Sequence, residues 1–394
     1  MRFVKPISMK EHARALALLA AAALLTVLAG KDFLRQHLVE DLWPSPALSA
    51  RQWLSHWHAP LKGGRGDSEV FVFRGQEEGG RVLVLGGTHP NEPAGYLAAV
   101  LLVENLRVEA GEIWVLPRAN ASAFTATDPQ EGTPQVLALP DSLGQPRAFR
   151  VGGRATNPLD QWPDPEITVH RPSLQSLSGV EVRNLNRSYP GRPEGFFTEQ
   201  VAWAIHRIIE QEGIDLLVDL HEAAIEYPVV NALVAHERAG DLAAAAVFGL
   251  SMNGVEIALE PSPANLHGLS HRELGDALPG LQATLLETAN PGQGRLRGRT
   301  NAEQLLLGKD PCYDAAQLIP GMNKVKVGPE GLPLAMRVGR HLDAVRELCA
   351  ALELTRPGKA VRYTGPPTLA ELDARGMSPW LRPVSGLDQP RKAR

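Results

Sequence analysis

The sequence predicts an α/β fold with a doubly wound, mostly parallel sheet. Short and mostly apolar runs, such as residues 81–85 and 215–220, have the composition of strands that are buried on both faces. Segments with apolar residues at helical spacing, such as residues 94–106 and 197–209, lie between such runs. Strands and helices that alternate in this way form βαβ units, whose helices cover both faces of a parallel sheet.

The same patterns predict a full series of elements along the chain. The predicted strands cover residues 69–74, 81–85, 113–116, 215–220, 255–259 and 282–286, and the predicted helices cover residues 94–106, 197–209, 239–250 and 334–352. Four parts of the chain follow from this series. They are an N-terminal apolar segment, a linker, a main α/β domain and a C-terminal extension, with predicted boundaries at residues 1–30, 31–60, 61–355 and 356–394.

The alternation of predicted strands and helices is interrupted between about residues 121 and 182. This stretch is rich in Pro, Gly, Asp and Gln and has little periodicity. About sixty irregular residues inside a compact domain usually carry function. We therefore expect an ordered insertion that borders the functional site.

The N-terminus has the pattern of an export signal. Lys5, Lys10 and Arg14 precede an uncharged, apolar run at residues 15–30, which ends at Lys31. This run is shorter than the roughly 20 residues that a full membrane span needs. We expect either a cleaved signal peptide or a single N-terminal membrane anchor. Both place the main domain outside the cytoplasm, as a periplasmic or membrane-anchored domain.

Composition narrows the classes of partner. Hydrophobic residues make up 44% and charged residues 21% of the 394 residues, as in ordinary globular proteins. The formal net charge is -4, without long runs of like charge, so we expect no nucleic-acid partner. The two cysteines, Cys312 and Cys349, are too few for a disulfide framework, and we expect free thiols, with a single bridge as the alternative.

Two segments at predicted strand ends carry candidate metal ligands. The segment 86–92, with sequence GGTHPNE, follows one predicted strand and places His89 and Glu92 three residues apart in a turn. Ligand sites in α/β sheets lie at the carboxyl ends of strands, where these two side chains can converge on one cation. Catalytic zinc takes three protein ligands, and His221 at the end of the strand 215–220 is the predicted third. Asp219 is predicted to fix the His221 imidazole or a nearby cation.

Two further segments carry groups suited to the hydrolysis of an amide. In residues 183–187, with sequence RNLNR, Asn186 and Arg187 are predicted to grip a carboxylate, because arginine does so with two parallel hydrogen bonds. Glu287 follows an apolar strand, where a carboxylate can accept a proton from water activated by zinc. Glu222 is not assigned to the site.

The motifs GGTHPNE, NLNR, DLHE and LLET come in an order that resembles the zinc carboxypeptidase superfamily, and most closely its succinylglutamate desuccinylase/aspartoacylase branch. The resemblance covers roughly residues 70–308. It implies a doubly wound α/β domain of zinc carboxypeptidase type with one zinc ion per chain. It also implies metal-binding roles for His89, Glu92 and His221, a base role for Glu287, and substrate or oxyanion contacts for Asn186 and Arg187. Arg183 is a second candidate cation for the substrate.

The predicted function is zinc-dependent hydrolysis of an amide bond in a substrate with a free carboxylate. One reading is deacylation of an N-acyl amino acid or a similar small amide. Another is carboxypeptidase-type cleavage of peptides or cell-wall fragments, which suits an exported protein. A non-catalytic binding protein that retained the zinc scaffold is the alternative from a different class. The sequence leaves the substrate and the oligomeric state open.

Overall fold

The computed structural model describes residues 8–35, 37, 39–127 and 134–383. Lys5 of the predicted signal, residues 128–133 of the predicted insertion and residues 384–394 of the predicted C-terminal extension lie outside the described residues. The strands are β1 (Ala50–Trp53), β2 (Glu69–Arg74), β3 (Glu77–Leu85), β4 (Arg107–Leu116), β5 (Val136–Pro140), β6 (Pro146–Arg150), β7 (Ile167–Val169), β8 (Ser176–Ser178), β9 (Leu216–Ala224), β10 (Ala232–Ala235), β11 (Ala258–Pro261), β12 (Gln282–Asn290) and β13 (Arg362–Thr364). The α-helices are α1 (Met9–Arg35), α2 (Pro93–Asn105), α3 (Phe197–Glu212), α4 (Gly240–Met252), α5 (Ser270–Ala277), α6 (Ala302–Leu307), α7 (Pro311–Gln317), α8 (Leu334–Thr355) and α9 (Leu369–Arg375).

A single large sheet forms the centre of the molecule. Its strand order is β1-β2-β4-β3-β9-β12-β10-β11, and β13 pairs with β4. The central strands β4, β3, β9 and β12 are parallel, whereas β1, β2, β10 and β13 join their neighbours in the antiparallel direction. The predicted α/β fold class is confirmed. The antiparallel pairs lie outside the parallel centre.

Helices cover both faces of this sheet because its central strands are apolar on both sides. Val82 and Val84 of β3 belong to a core that includes α2, α4 and α8. Leu83 and Leu85 of the same strand belong to a second core, which includes α3. Successive side chains of a strand point to opposite faces, so a continuous apolar run needs cover on both sides. This is the doubly wound arrangement that the sequence predicts.

The predicted insertion contains more regular structure than its composition indicates. It forms two antiparallel hairpins, β5–β6 and β7–β8. The strands are three to five residues long, which is too short for a clear alternation of apolar and polar residues. The β5–β6 hairpin packs into the main core through Leu137 and Phe149, and Arg154 of the same insertion reaches Glu92.

The segments on either side of the main domain also contribute to the sheet. In the predicted linker, β1 pairs with β2. In the predicted C-terminal extension, β13 pairs with β4, and the side chains of Leu372 and Leu381 are buried in the core. Helix α1 is different, because an 18-residue window within Met9–Leu34 has a mean hydropathy of 2.0 and none of this window is buried. Its length and composition suit a membrane span or a signal sequence.

Candidate metal centre and active site

The candidate residues meet at the carboxyl ends of neighbouring parallel strands. His89 and Glu92 lie in the turn between β3 and α2, and His221 lies in β9, the neighbour of β3. Glu287 lies in β12, directly opposite His221 in the strand pairing. The turn after β3 needs glycine at position 87, because its φ is +63° and a Cβ atom there would lie 2.8 Å from the Phe124 ring.

His89, Glu92 and His221 form one buried group. Their candidate ligand atoms all lie within 4.8 Å of one another. His89 Nδ1 lies 2.9 Å from Glu92 Oε1, and His221 Nδ1 lies 3.0 Å from Glu92 Oε2. The structure therefore brings the three predicted ligands together around one point.

The second nitrogen of each imidazole is directed away from Glu92. His89 Nε2 lies 2.9 Å from Asn184 Oδ1, and His221 Nε2 lies 3.0 Å from Asp219 Oδ2. Oxygen atoms at these positions favour a proton on Nε2, which leaves the lone pair on Nδ1. Both lone pairs then face the Glu92 carboxylate. Two imidazole nitrogens and one carboxylate form a donor set that fits zinc with a position left for water.

Asp219 is held in place by more than His221. Its Oδ1 accepts a hydrogen bond of 2.9 Å from the Thr88 hydroxyl, and its Oδ2 accepts one of 2.5 Å from the Ser270 hydroxyl. Burial works against the ionised carboxylate, but the His221 charge and these hydrogen bonds lower the pKa of Asp219 overall. An ionised Asp219 fixes the orientation of the His221 ring.

Burial and neighbouring charges set the protonation of the ligand group. Burial, together with the Arg154 charge, lowers the pKa of His89 to about 4. His89 is therefore neutral near pH 7, as a metal ligand must be. Burial alone would raise the pKa of Glu92, but the charges of His89 and His221 hold it well below its usual value. Burial alone would lower the pKa of His221, but Asp219 and Glu92 raise it, so a metal ion bound at His221 Nδ1 would displace a proton from this imidazole.

The Glu287 carboxyl has an oxygen atom that accepts no hydrogen bond from any described residue. Its Oε2 atom is buried and has no hydrogen-bond partner among the described residues. Burial raises the pKa of Glu287 to about 8. Buried polar atoms are rarely left without a partner, so we expect a water, an ion or a substrate to bind this carboxyl.

The insertion contributes a residue that the sequence did not single out. Arg154 Nη1 lies 3.2 Å from Glu92 Oε1, and the Arg154 side chain is 34% exposed. Gln293 Nε2, on the loop after β12, lies 3.1 Å from the same oxygen. Neither residue belongs to a motif, and the prediction that the insertion borders the site was the only signal that pointed toward Arg154.

The predicted substrate-binding residues lie in different environments. Arg187 is mostly buried, and its pKa is lowered by burial and by the charge of Arg154, while Glu181 and Glu287 act in the opposite direction. Asn186 is buried, and its Oδ1 accepts a hydrogen bond of 2.9 Å from the Ser270 backbone N–H. Asn186 and Arg187 come two and three residues after Asn184 in the chain, and the Asn184 side chain contacts His89.

Arg183 is bound within the insertion. Its guanidinium donates to Asp164 at 2.7 and 2.8 Å and to the Thr156 carbonyl at 2.6 Å. These donors are already engaged, so Arg183 holds the insertion against the segment that carries Asn184 and Arg187. These bonds direct the Arg183 guanidinium at the insertion and not at the candidate ligands, so we do not expect the predicted contact of Arg183 with substrate.

Glu222 lies on the face of β9 opposite to His221. Its carboxylate accepts a hydrogen bond of 2.8 Å from the Ala94 backbone N–H and pairs with the buried Arg337 of α8. Only its backbone N–H contacts the ligand group, at 3.0 Å from Glu92 Oε2.

A second group of possible ligands consists of His170, His267 and Glu273. Both ring nitrogens of His170 already have partners, with Nδ1 at 2.7 Å from Ser173 Oγ and Nε2 at 2.7 Å from the Tyr189 carbonyl. His267 Nδ1 contacts Glu273 Oε1 at 2.8 Å. This group therefore fixes the β7–β8 hairpin to the loops beside it.

Comparisons with known proteins agree with the predicted resemblance. No protein-family model matches the chain. Among curated proteins, the chain is similar to the N-alpha-acetyl-L-2,4-diaminobutyric acid deacetylase of Halomonas elongata, with 26% identity over 161 residues, which is 40% of this chain and 33% of that protein.

The similar solved structures include enzymes of the predicted branch. A succinylglutamate desuccinylase from Silicibacter sp. TM1040 has 18% identity and a TM-score of 0.37, over 58% of this chain and 55% of that one. A succinylglutamate desuccinylase/aspartoacylase from Rhodobacter sphaeroides has 20% identity and a TM-score of 0.36, over 66% and 63%. The cell shape determinant protein Csd4 from Helicobacter pylori has 12% identity and a TM-score of 0.45, over 78% and 58%. The chain thus spans a third of the curated relative and less than two thirds of each of these structures. The predicted resemblance to this branch is confirmed.

Proposed function

We propose that this protein is a zinc-dependent hydrolase that cleaves an amide bond in a substrate with a free carboxylate. The observation that carries the proposal is the unpartnered Glu287 carboxyl beside the buried group of His89, Glu92 and His221. A metal-binding group with an adjacent carboxyl is the arrangement that metal-assisted hydrolysis requires. The printed name of the curated relative, a deacetylase of an N-acetylated amino acid, also supports amide hydrolysis.

Each residue has a defined part in this proposal. A zinc ion held by His89, Glu92 and His221 would polarise the substrate carbonyl, lower the pKa of water and, by its charge, lower the pKa of Glu287. Glu287 accepts the proton of the attacking water and returns it to the departing amine. Arg187 and Asn186 orient the substrate, and the Arg187 guanidinium pairs with its carboxylate.

Arg154 adds a second positive charge near that of Arg187. Its guanidinium is partly exposed and reaches the ligand group from the insertion. Arg154 lies near enough to Arg187 for the two charges to interact, and two neighbouring positive charges favour an anionic substrate. We include Arg154 as a residue that binds the anionic part of the substrate.

The proposed location of the enzyme is outside the cytoplasm. Helix α1 is apolar, unburied and long enough to cross a membrane, and it lies before the first strand of the domain. Its charged flank at Lys10 and Arg14 supports an export signal or an anchor. We propose that α1 directs the domain across the membrane, either as a signal or as a single anchor.

Metal content is the experiment that tests the proposal. The full-length chain, purified in detergent, is expected to contain about one zinc per chain, whereas His89→Ala and His221→Ala are expected to contain almost none. His56→Ala is the matched control, because His56 is exposed and lies outside the group. Glu287→Gln is expected to retain zinc and to lose turnover of N-acetyl amino acids and peptides.

The outcomes separate the classes of function. No zinc in the wild type after reconstitution refutes the metal centre. Zinc without hydrolysis of any small amide or peptide supports the non-catalytic binding protein. Hydrolysis that persists in Glu287→Gln refutes the role of Glu287 as the base and does not contradict the metal centre.

A further inference from the structure

The insertion and the segment that follows it form a groove whose lining includes Arg187. It has a volume of about 380 Å³ and lies between the β7–β8 hairpin and the loop 188–192. Its apolar walls include Pro165, Leu177 and Phe196. Ligand sites in proteins usually have volumes of about 300–1,000 Å³, so the groove is large enough to hold several residues of a peptide.

One wall of this groove is a free strand edge. The β7–β8 pairing places Thr168 opposite Leu177, and His170 donates a backbone hydrogen bond of 2.9 Å to Gln175. Hydrogen-bonded and non-hydrogen-bonded pairs alternate in an antiparallel ladder. The backbone groups of Ile167 and Val169 therefore point away from β8.

These outward groups have no partner within the described part of the chain. No hydrogen bond from another described segment reaches the backbone N–H or C=O of Ile167 or Val169. Ile167, Thr168 and Val169 all line the groove, as expected where a strand presents its edge to the space. A free edge of this kind pairs with an extended peptide by adding a strand.

The hairpin is fixed firmly enough to serve as a template. His170 Nε2 lies 2.7 Å from the Tyr189 carbonyl across the groove's end, and the His170 ring stacks on His267 with centroids 5.7 Å apart. Gln175 donates a hydrogen bond of 2.7 Å to the Asn265 carbonyl. A preorganised edge loses little conformational entropy when it binds a ligand.

Two of the residues that line the groove, Glu181 and Arg187, connect it with the candidate metal centre. Glu181 Oε2 accepts a hydrogen bond of 2.7 Å from Asn184 Nδ2, and Asn184 Oδ1 contacts His89. Arg187 thus lines the groove, and its charge also interacts with that of Glu287.

We propose that the substrate is an extended peptide whose main chain pairs with the free edge of β7 while its scissile amide lies at the metal centre. The inference rests on the proposed function, and it selects peptides over small N-acyl amino acids. An amino acid with a short acyl group fills only the space beside Arg187 and gains nothing from the edge of β7. A peptide gains main-chain hydrogen bonds at Ile167 and Val169, which are independent of side-chain identity.

Proline substitutions on the two edges of the hairpin test this proposal. Val169→Pro removes one outward N–H from the groove edge and leaves the hydrogen-bonded pairs of the hairpin intact. Ser176→Pro is the matched control, because Ser176 faces Val169 in the ladder but its own N–H points to the opposite edge, away from the groove. Ile167→Pro repeats the test if Val169→Pro lowers the Tm of the protein.

Binding is measured without turnover, by fluorescence anisotropy of a fluorescein-labelled alanine pentapeptide with a free carboxyl terminus. The full-length, zinc-loaded Glu287→Gln protein serves as the parent for all variants. Val169→Pro is expected to weaken binding about 3- to 10-fold, which corresponds to the loss of one main-chain hydrogen bond, and Ser176→Pro is expected to bind like the parent.

Activity measurements on the enzyme with Glu287 intact separate this inference from the proposed function. Val169→Pro is expected to lower the ratio of pentapeptide to N-acetylalanine hydrolysis by a similar factor, through KM. Equal peptide binding by Val169→Pro and Ser176→Pro overturns the inference, and hydrolysis of N-acetylalanine would still support the proposed function. Absence of all hydrolysis, with peptide binding that depends on Val169, refutes the proposed function and supports the groove.

Discussion

Replacing Glu287 by Gln is expected to change the pH dependence of stability of the metal-free protein. The Glu287 carboxyl has a pKa of about 8 in the folded protein, compared with a usual value of 4.5, because it is buried. A group whose pKa is raised by folding contributes stability below its unfolded pKa and loses that contribution as the pH rises through its folded pKa. The metal-free wild type therefore loses stability between about pH 4.5 and about pH 8 through this residue.

The magnitude follows from the width of this window. Each pH unit across it is worth about 1.4 kcal/mol, so a fully buried carboxyl would contribute roughly 4 to 5 kcal/mol. Glu287 as a whole is only partly buried, although its Oε2 is enclosed. Solvent screens the exposed part of the side chain, and we expect a loss on the order of 3 kcal/mol. Glutamine keeps the shape of the side chain and cannot ionise.

The assay is chemical denaturation of the chelator-treated, full-length protein and its Glu287→Gln variant at about pH 5 and about pH 9. Other titrating groups, including His221, contribute to both proteins, so the difference between the two isolates Glu287. The variant should be nearly as stable as the wild type at the lower pH and more stable at the higher pH by about 3 kcal/mol. The same stability difference at both pH values would refute the assignment of a buried, neutral Glu287.

Three further substitutions give distinct expected results. Arg154→Ala should raise KM for anionic substrates about tenfold at unchanged zinc content, whereas Arg154→Lys should recover part of the loss; an unchanged KM would contradict its contact with substrate. Asp219→Asn should weaken zinc binding about 10- to 100-fold in a chelator titration, because the His221 ring loses its charged partner, and unaltered affinity would contradict this role. Arg183→Ala should lower the free energy of unfolding by about 3 kcal/mol in urea titrations and leave KM unchanged, because it breaks a buried pair with Asp164. An increase in KM at full stability would return Arg183 to the substrate site.

The central part of the fold could be predicted from the sequence because its strands are buried on both faces. The predicted strand 69–74 agrees with β2, and the predicted helix 94–106 agrees with α2 within one residue at either end. Strand β10 was missed, because its four residues, ALVA, carry no periodicity of their own and gain their structure from pairing with β11 and β12. The same holds for β1 and β13, which are short edge strands.

The position of the candidate site could be predicted for a related reason. Residues at the ends of adjacent parallel strands meet at one edge of the sheet, which brings His89 and His221 together, with Glu287 on the next strand. Arg154 could not be predicted to contact Glu92, because its position depends on how the insertion folds back. The pairing of Arg183 with Asp164 is also tertiary, and no spacing rule relates residues that meet across an irregular segment.

The candidate site is formed by two parts of the chain, the central sheet and the insertion, and only the contribution of the sheet could be predicted from the sequence. The sheet holds His221 and Glu287 on adjacent central strands, and His89 and Glu92 lie in the turn that follows β3, so the hydrogen-bonded register of these strands positions the site. The insertion supplies Arg154, the Glu181 side of the groove and the edge of β7, on loops and a short hairpin. Loops tolerate changes in length and sequence without loss of the core, so substrate preference can change while the metal centre stays the same. We therefore expect residues 121–182 and their contacts with Arg187 to determine the substrate, and the motifs that indicate the chemistry to carry little information about it.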